Sequence, residues 1–297
     1  MRLDRTQIAI RERSSGELFD LSLQLMAAYL RPLAITMALG AVPLTVLNYF
    51  LIGWMANVDP LYDFPLRYVW SMGLLLFIEA PLASVFATAW LGAAVFDQEP
   101  RVRQIVGEVW RLLPRILFVQ VVMRGPLLAW LFLGGMALSR DRDMMRPVVE
   151  VLLLGAVAFV AGLMRAARPY MNEIVLLERN PLRSSDSRQP SIGRRSSLLH
   201  EPAGSDLLGR WLASALIAVL LFGSVYGGIL FLVGVFSNSW DQSPLLVQWL
   251  FSLSFWTVAT YFTVVRFLSY LDLRIRQEGW EVDIAIRAQA AELQQTL

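Results

Sequence analysis

The sequence predicts an all-α integral membrane protein with six transmembrane helices, and three observations carry that prediction. Of its 297 residues 56% are apolar, and the mean hydropathy is +0.53. Six apolar stretches are long enough to cross a bilayer, whose hydrocarbon core takes about 20 helical residues. Finally, 21 of the 26 basic residues, all arginines, fall in alternate connecting segments. By the positive-inside rule this places both termini on the cytoplasmic side.

The spans read, in order, Leu33 to Met55, Tyr68 to Phe96, Ile116 to Ser139, Pro147 to Met164, Trp211 to Phe236 and Pro244 to Val265. The second is long enough to tilt or to run past the bilayer. Segments before the first, third and fifth spans and after the sixth hold 5, 4, 8 and 4 arginines. The alternate loops hold only Arg67, then Arg140, Arg142 and Arg146, then none. Trp54, Trp70 and Trp240 fall at the outer ends and Trp90, Trp110 and Trp211 near the inner ones, as amphipathic rings favour both interfaces. The expected location is the bacterial cytoplasmic (inner) membrane, multi-pass. The N-terminus is polar through Gly16 and runs into a full-length span, so it does not read as a cleavable signal.

Two segments outside the spans have helical amphipathic patterns. One opens on Ser14-Ser15-Gly16-Glu17, a capping-box signature, with Glu17, Asp20, Gln24 and Arg31 on one stripe and Leu18, Leu21, Leu25, Met26 and Tyr29 on the rest. The other sets Val102, Ile105, Val106, Val109, Leu112 and Leu113 against Arg101, Arg103, Glu108 and Arg111. Both read as interfacial helices on the inner leaflet. Hairpins starting near residues 33, 116 and 211 divide the chain, read as one polytopic domain over residues 1–297, into three similar units. Residues 181–206, rich in Ser, Arg, Pro and Gly, are expected to be a disordered cytoplasmic loop. Residues 266–297 are expected to be a cytoplasmic juxtamembrane helix. In the fifth span Gly223 and Gly227 form a small-xxx-small pair, read as packing within the chain rather than as a dimer face.

Composition also excludes. A net charge of +2 is too small to argue for nucleic acid, so the partners expected are the lipid bilayer and anionic headgroups at the cytoplasmic face. With no cysteine there is no disulfide, thiolate catalysis or cysteine metal site. The one histidine, His200, lies in the predicted loop and reads as a bystander. No Ser/His/Asp set, zinc helix or phosphate-cradling glycine loop is present. The expectation is therefore no enzyme, no cofactor and no metal.

Two charges stand inside spans, Glu79 and Arg124, each followed two positions later by a proline. A lone central charge costs about 3 kcal/mol on insertion scales, so such groups face the bundle interior and find partners. Counting inward, the two lie at similar depths, which predicts a buried Glu79–Arg124 ion pair. Carbonyls freed by the prolines need donors, which Arg124 has. The pair reads either as a salt bridge fixing helix register or as the polar centre of a solute or lipid pathway.

After the sixth span, Asp272 with Arg276 and Arg274 with Glu278 are spaced four apart, which on a helix makes neighbours. The run Tyr270-Leu-Asp272-Leu-Arg274-Ile-Arg276-Gln-Glu278-Gly279-Trp280-Glu281 resembles the ending of bacterial proteins similar to the membrane domain of glycerophosphoryl diester phosphodiesterases. The stretch Arg168-Pro169-Tyr170-Met171-Asn172-Glu173-Ile174, through Leu177-Glu178-Arg179-Asn180-Pro181, looks like an internal segment of related membrane proteins. The resemblance covers the six-span layout and these two motifs. It marks Asp272, Arg274, Arg276 and Glu278 as family positions but implies no diesterase activity, because the catalytic barrel's paired histidines and metal-binding acids have no counterpart.

Two functional expectations follow. The first is a non-enzymatic partner or scaffold in a cell-envelope-associated membrane assembly, with a membrane-protein partner. The alternative is a small-solute or lipid transporter or exporter built around Glu79 and Arg124. A continuous polar path would favour the second, and a dry, closely packed centre the first.

Overall fold

A computed structural model describes residues 14–57, 65–95, 100–138, 147–184, 189–238, 240 and 246–278, apart from the side chain of Pro147. Residues 279–297, including Gly279, Trp280 and Glu281 of the tail motif, and Arg140, Arg142 and Arg146 lie outside the described residues, with the expectations that fall on them. Eleven α-helices are described: α1 (Ser15–Ala28), α2 (Leu30–Ile52), α3 (Leu66–Ala83), α4 (Val85–Ala94), α5 (Val102–Ile116), α6 (Pro126–Leu138), α7 (Pro147–Ala167), α8 (Met171–Leu176), α9 (Ile192–His200), α10 (Gly204–Ser237) and α11 (Phe251–Glu278). Among the described residues there is no strand. Five helical stretches are long and apolar enough to cross a membrane: Leu30–Ala56, Leu66–Ala94, Val148–Ala167, Ile192–Ser237 and Leu246–Glu278. A sixth arises if Val102–Val122 and Pro126–Leu138, bent by 68°, count as one.

Local chemistry sets where these helices start and bend. The capping box of α1 is formed: the Ser14 amide donates to Glu17 Oε2 (3.0 Å) and the Glu17 amide to Ser14 Oγ (3.3 Å). At the end of α5 the chain widens into a π-helical stretch, Leu117–Val122, and the Met123 amide bonds to Phe118 O five residues back. Gly125 then takes φ +99°, a left-handed value that L side chains disfavour, and Pro126 opens α6 with no N–H to offer the preceding turn. The span read as straight from Ile116 to Ser139 is therefore broken at residues 123–125. Glycine also sets the approach of α2 to the end of α3. A Cβ at Gly40 would lie 2.1 Å from the Ala83 carbonyl oxygen, so only glycine fits there.

Helix α2 packs against α3 and α4, α3 against α7, and α10 against α7 and α11. Two apolar cores result. Met37, Leu75, Leu133, Leu154 and Val247 belong to the core between α2, α3, α6, α7 and the start of the last helix. Trp90, Val109, Ile174, Leu199, Phe267 and Tyr270 belong to the other, where α4, α5, α8, α9 and the end of α11 converge. This second region is the arginine-rich end. Here Ile105, Val109 and Ile116 of α5 are buried, whereas Arg101, Arg103, Glu108 and Arg111 are exposed.

Two expectations are corrected. The predicted disordered segment carries α9 and the first turn of α10, and Ile192, Ser196, Leu199 and His200 are buried. Their helical spacing buries a face that the average composition of the segment conceals. Residues 185–188 lie outside the described residues. The small residues of the fifth span do not pack within the chain: Cβ atoms built at Gly223, Gly227 and Gly228 would meet nothing within 4 Å. The tail helix is continuous with the sixth span as far as Glu278.

Candidate functional site

The arginine-rich end is organised around α8, a helix of six residues that are all buried. Its first turn is tied by side chains to the elbow between α3 and α4. Asn172 Nδ2 donates to Pro81 O (2.7 Å) and to Ser84 Oγ (3.3 Å), while Asn172 Oδ1 accepts from Gln120 Nε2. Pro81 O lies in the last turn of α3, where carbonyls lack intrahelical donors, and it accepts from Ser84 Oγ (3.0 Å) as well as from Asn172. Arg266 of α11 completes the joint: Nε donates to Glu173 Oε1 (2.8 Å) and Nη2 to Thr88 Oγ1 (2.9 Å) and Ser84 Oγ (3.2 Å). Glu173 is fully buried, and its Oε2 has no hydrogen-bond partner.

The two motif stretches, nearly a hundred residues apart in sequence, meet here. Tyr170 and Tyr270 have ring centroids 5.8 Å apart, and the Tyr270 hydroxyl donates to Glu178 Oε1 (2.8 Å). Arg195 of α9 bridges Glu178 (2.5 Å) and Glu278 (2.5 Å). Arg274 pairs with Glu278 (2.7 Å) and lies over the Tyr270 ring at 5.7 Å. Asp272, 1% exposed, receives Arg210 of α10 and Arg276, each at 3.1 Å. Asp272, Arg274, Arg276 and Glu278 of the tail therefore all take part in the ion pairs of a hub that joins the chain after α8 to α9, α10 and α11.

His200, read from the sequence as a bystander, belongs to the same hub. Its Nδ1 lies 2.7 Å from Ser196 O, and its Nε2 accepts from the Tyr170 amide at 3.3 Å. The ring stacks on Tyr170 with centroids 5.6 Å apart. One nitrogen faces an acceptor and the other a donor, so the geometry assigns the neutral Nδ1–H tautomer. Burial, with Arg168 and Arg124 nearby, pushes the imidazole pKa down to about 4.

Beside the hub lies a cavity of about 230 Å³, bounded by α3, the α5–α6 break, α7, α10 and α11. Phe77, Ala80, Ala215, Ala218, Ala259 and Phe262 give it an apolar wall, and Arg124, Arg165, Arg210 and Arg266 give it a cationic one. Two of these guanidiniums are matched by carboxylates, Arg266 by Glu173 and Arg210 by Asp272. The other two have only carbonyls. Arg124, 5% exposed, donates to Arg168 O. Arg165 donates to Ile78 O (2.7 Å) and lies over the Phe77 ring at 4.3 Å, while its Nε is buried without a partner. Among the described residues neither makes an ion pair.

The predicted pair of Glu79 with Arg124 does not form. Glu79 is fully buried, but it accepts from Asn48 Nδ2 (2.7 Å) and Trp130 Nε1 (2.6 Å). Trp130 lies six residues beyond Arg124, about 9 Å along a helix. Counting depth along a straight span put the wrong turn of this helix beside Glu79. The donor role at the Pro81 elbow falls to Arg165 and Asn172, not to Arg124. At the opposite end of the protein is a buried ion pair that the sequence reading missed. Arg67 reaches Glu150 at 2.6 Å, Ser71 Oγ donates to Glu150 Oε1 (3.1 Å), and Trp54 lies 5.1 Å from the Arg67 guanidinium.

Together the fold and site describe an all-helical chain with several helices able to cross a membrane and a cationic cavity beside an ion-paired hub. No protein family, curated protein or solved structure matches it. Among the described residues, no group of three or more His, Cys, Asp or Glu side chains is placed to hold a metal ion.

Proposed function

We propose that this is a non-enzymatic, multi-pass protein of the bacterial cytoplasmic membrane that binds an anionic, lipid-like molecule in the arginine cavity. The carrying observation is the pair Arg124 and Arg165, two guanidiniums without a carboxylate at the edge of an apolar slot. An unpaired charge away from water costs several kcal/mol. An anion entering the cavity relieves that cost, and an apolar wall beside the charges suits a guest with an acyl chain. In this reading the spans form three hairpins, both termini and the arginine-rich end are cytoplasmic, and α1 and α5 lie on the inner leaflet. Placing the cavity at that leaflet gives it direct access to anionic lipid. The two stretches that resemble the phosphodiesterase membrane domain form the hub that fixes the cavity's cationic wall.

The test is purification in mild detergent followed by mass spectrometry of bound lipid. An anionic lipid should co-purify with the protein and fall at least about tenfold in the double variant Arg124→Gln/Arg165→Gln, a change worth about 1.4 kcal/mol. Recovery of no anionic lipid, or equal recovery with the variant, sinks the reading. A second reading, a partner or scaffold in an envelope-associated membrane assembly, is favoured by α10, whose most apolar 18-residue window has 0% of its residues buried. A stoichiometric protein partner without specific lipid would select it.

A further inference from the structure

We propose that the headgroup read by the cavity is a phosphate monoester, a dianion, rather than a phosphodiester. This rests on the anion-binding reading above and names its ligand class. The first argument is charge. Four guanidiniums face the cavity, and two fully buried carboxylates, Glu173 and Asp272, oppose them. At the solvent edge Asp206 and Arg276 add one charge of each sign. Among these groups the excess is two positive charges, carried by Arg124 and Arg165, and the exposed Arg168 beside Arg124 adds further positive potential. A phosphodiester brings one negative charge, whereas a monoester brings close to two at neutral pH.

The second argument is donor count. A monoester presents three terminal oxygens, a diester only two. Arg165 spends Nη2 on Ile78 O and Arg124 spends only one Nη2 bond on Arg168 O, which leaves further guanidinium donors on both. Ser214 and Ser269 also line the wall, with no hydrogen bond from either hydroxyl among the described residues. These donors exceed what two oxygens take, and guanidinium forks are the geometry that binds phosphate bidentately. The third argument is access. Arg210, Ser214, Val265 and Ser269 also line a second cavity of about 290 Å³, which reaches Ser15 and Phe19 of α1 and Asp206. The polar wall is thus shared between an apolar slot and a more polar vestibule, so the phosphate can belong to a lipid or to a soluble compound.

The experiment uses the full chain in phosphatidylcholine nanodiscs, with native mass spectrometry reading bound phosphatidate, phosphatidylglycerol or added inorganic phosphate. Phosphatidate should bind at least about tenfold more tightly than phosphatidylglycerol. Arg165→Gln should abolish that preference, and Arg165→Lys, which keeps the charge, should retain part of it. If inorganic phosphate displaces phosphatidate at comparable concentration, the dianion chemistry stands with a soluble source. If it does not, the lipid monoester is the ligand. Equal binding of phosphatidate and phosphatidylglycerol overturns this inference while leaving the anion-binding reading intact. Binding of none of the three overturns both. Glu108→Gln, at an exposed pair with Arg179, controls for altered surface charge and should leave the preference unchanged.

Discussion

At the scale of single residues, the buried charges divide into those that have counterions and those that do not. Glu150 is fully buried and depends on Arg67 and Ser71. Removing one member of such a pair strands the other charge, which costs about 3–5 kcal/mol, whereas removing both charges is close to neutral. Arg67→Gln should therefore lower the thermal unfolding temperature in detergent markedly, and Arg67→Gln/Glu150→Gln should recover most of the loss. A double variant as unstable as the single one would show that the pair does not hold α3 to α7. Arg124 and Arg165 should behave oppositely, since neither has a carboxylate to strand. Their neutralisation is expected to cost binding, and to cost less stability than Arg67→Gln because it strands only the Arg168 and Ile78 carbonyls.

At the scale of helices, α9 shows how a short element is held and what releases it. Four of its nine residues are buried, and Arg195 and His200 tie it to Glu178, Glu278 and Tyr170. The folded state holds the His200 pKa at about 4, below the ordinary imidazole value of 6.5. The unfolded segment therefore binds more protons across that window. The stabilisation is complete above about pH 6.5 and is lost as pH falls toward 4. Amide protection factors across residues 192–200, with each rate referred to the intrinsic rate at that pH, should fall over that range, and the acid-sensitive part should vanish in His200→Gln. Protection that is flat from pH 7 to about 4 would contradict the assigned buried, neutral imidazole.

The same scale shows what was legible in the sequence. Long apolar runs gave the spans because bilayer thickness fixes their length, and Ser14 with Glu17 gave the start of α1 because the cap is local. The Glu79–Arg124 register was not legible, since it required a straight helix where Gly125 and Pro126 make a bend. Nor was α9, whose buried face of Ile192, Ser196, Leu199 and His200 is hidden in a polar average. The cavity arginines Arg165, Arg210 and Arg266 each sit one residue outside a predicted span edge. They were counted there as markers of orientation, and convergence of three span edges on one point is a tertiary fact. The available signal was that all three edges lie at the same end.

At the scale of the whole molecule, orientation decides what the cavity can reach. The arginine-rich end holds α8, α9 and the hub, while the Arg67–Glu150 pair closes the other end, so the protein has two electrostatically distinct ends. The excess of arginine on one set of segments predicts that the hub end is cytoplasmic. Because the chain contains no cysteine, a single introduced thiol reports its own side. Arg183 lies exposed near the hub and Trp240 is 68% exposed near the other end. With a membrane-impermeant maleimide on intact spheroplasts, Trp240→Cys should label and Arg183→Cys should label only after lysis. The reverse pattern would place the cavity at the outer leaflet, away from the cytoplasmic pool of phosphate esters. The anion-binding chemistry would survive that result, because it depends on the side chains that line the cavity and not on the side of the membrane they face. The inner-leaflet source of the guest would not.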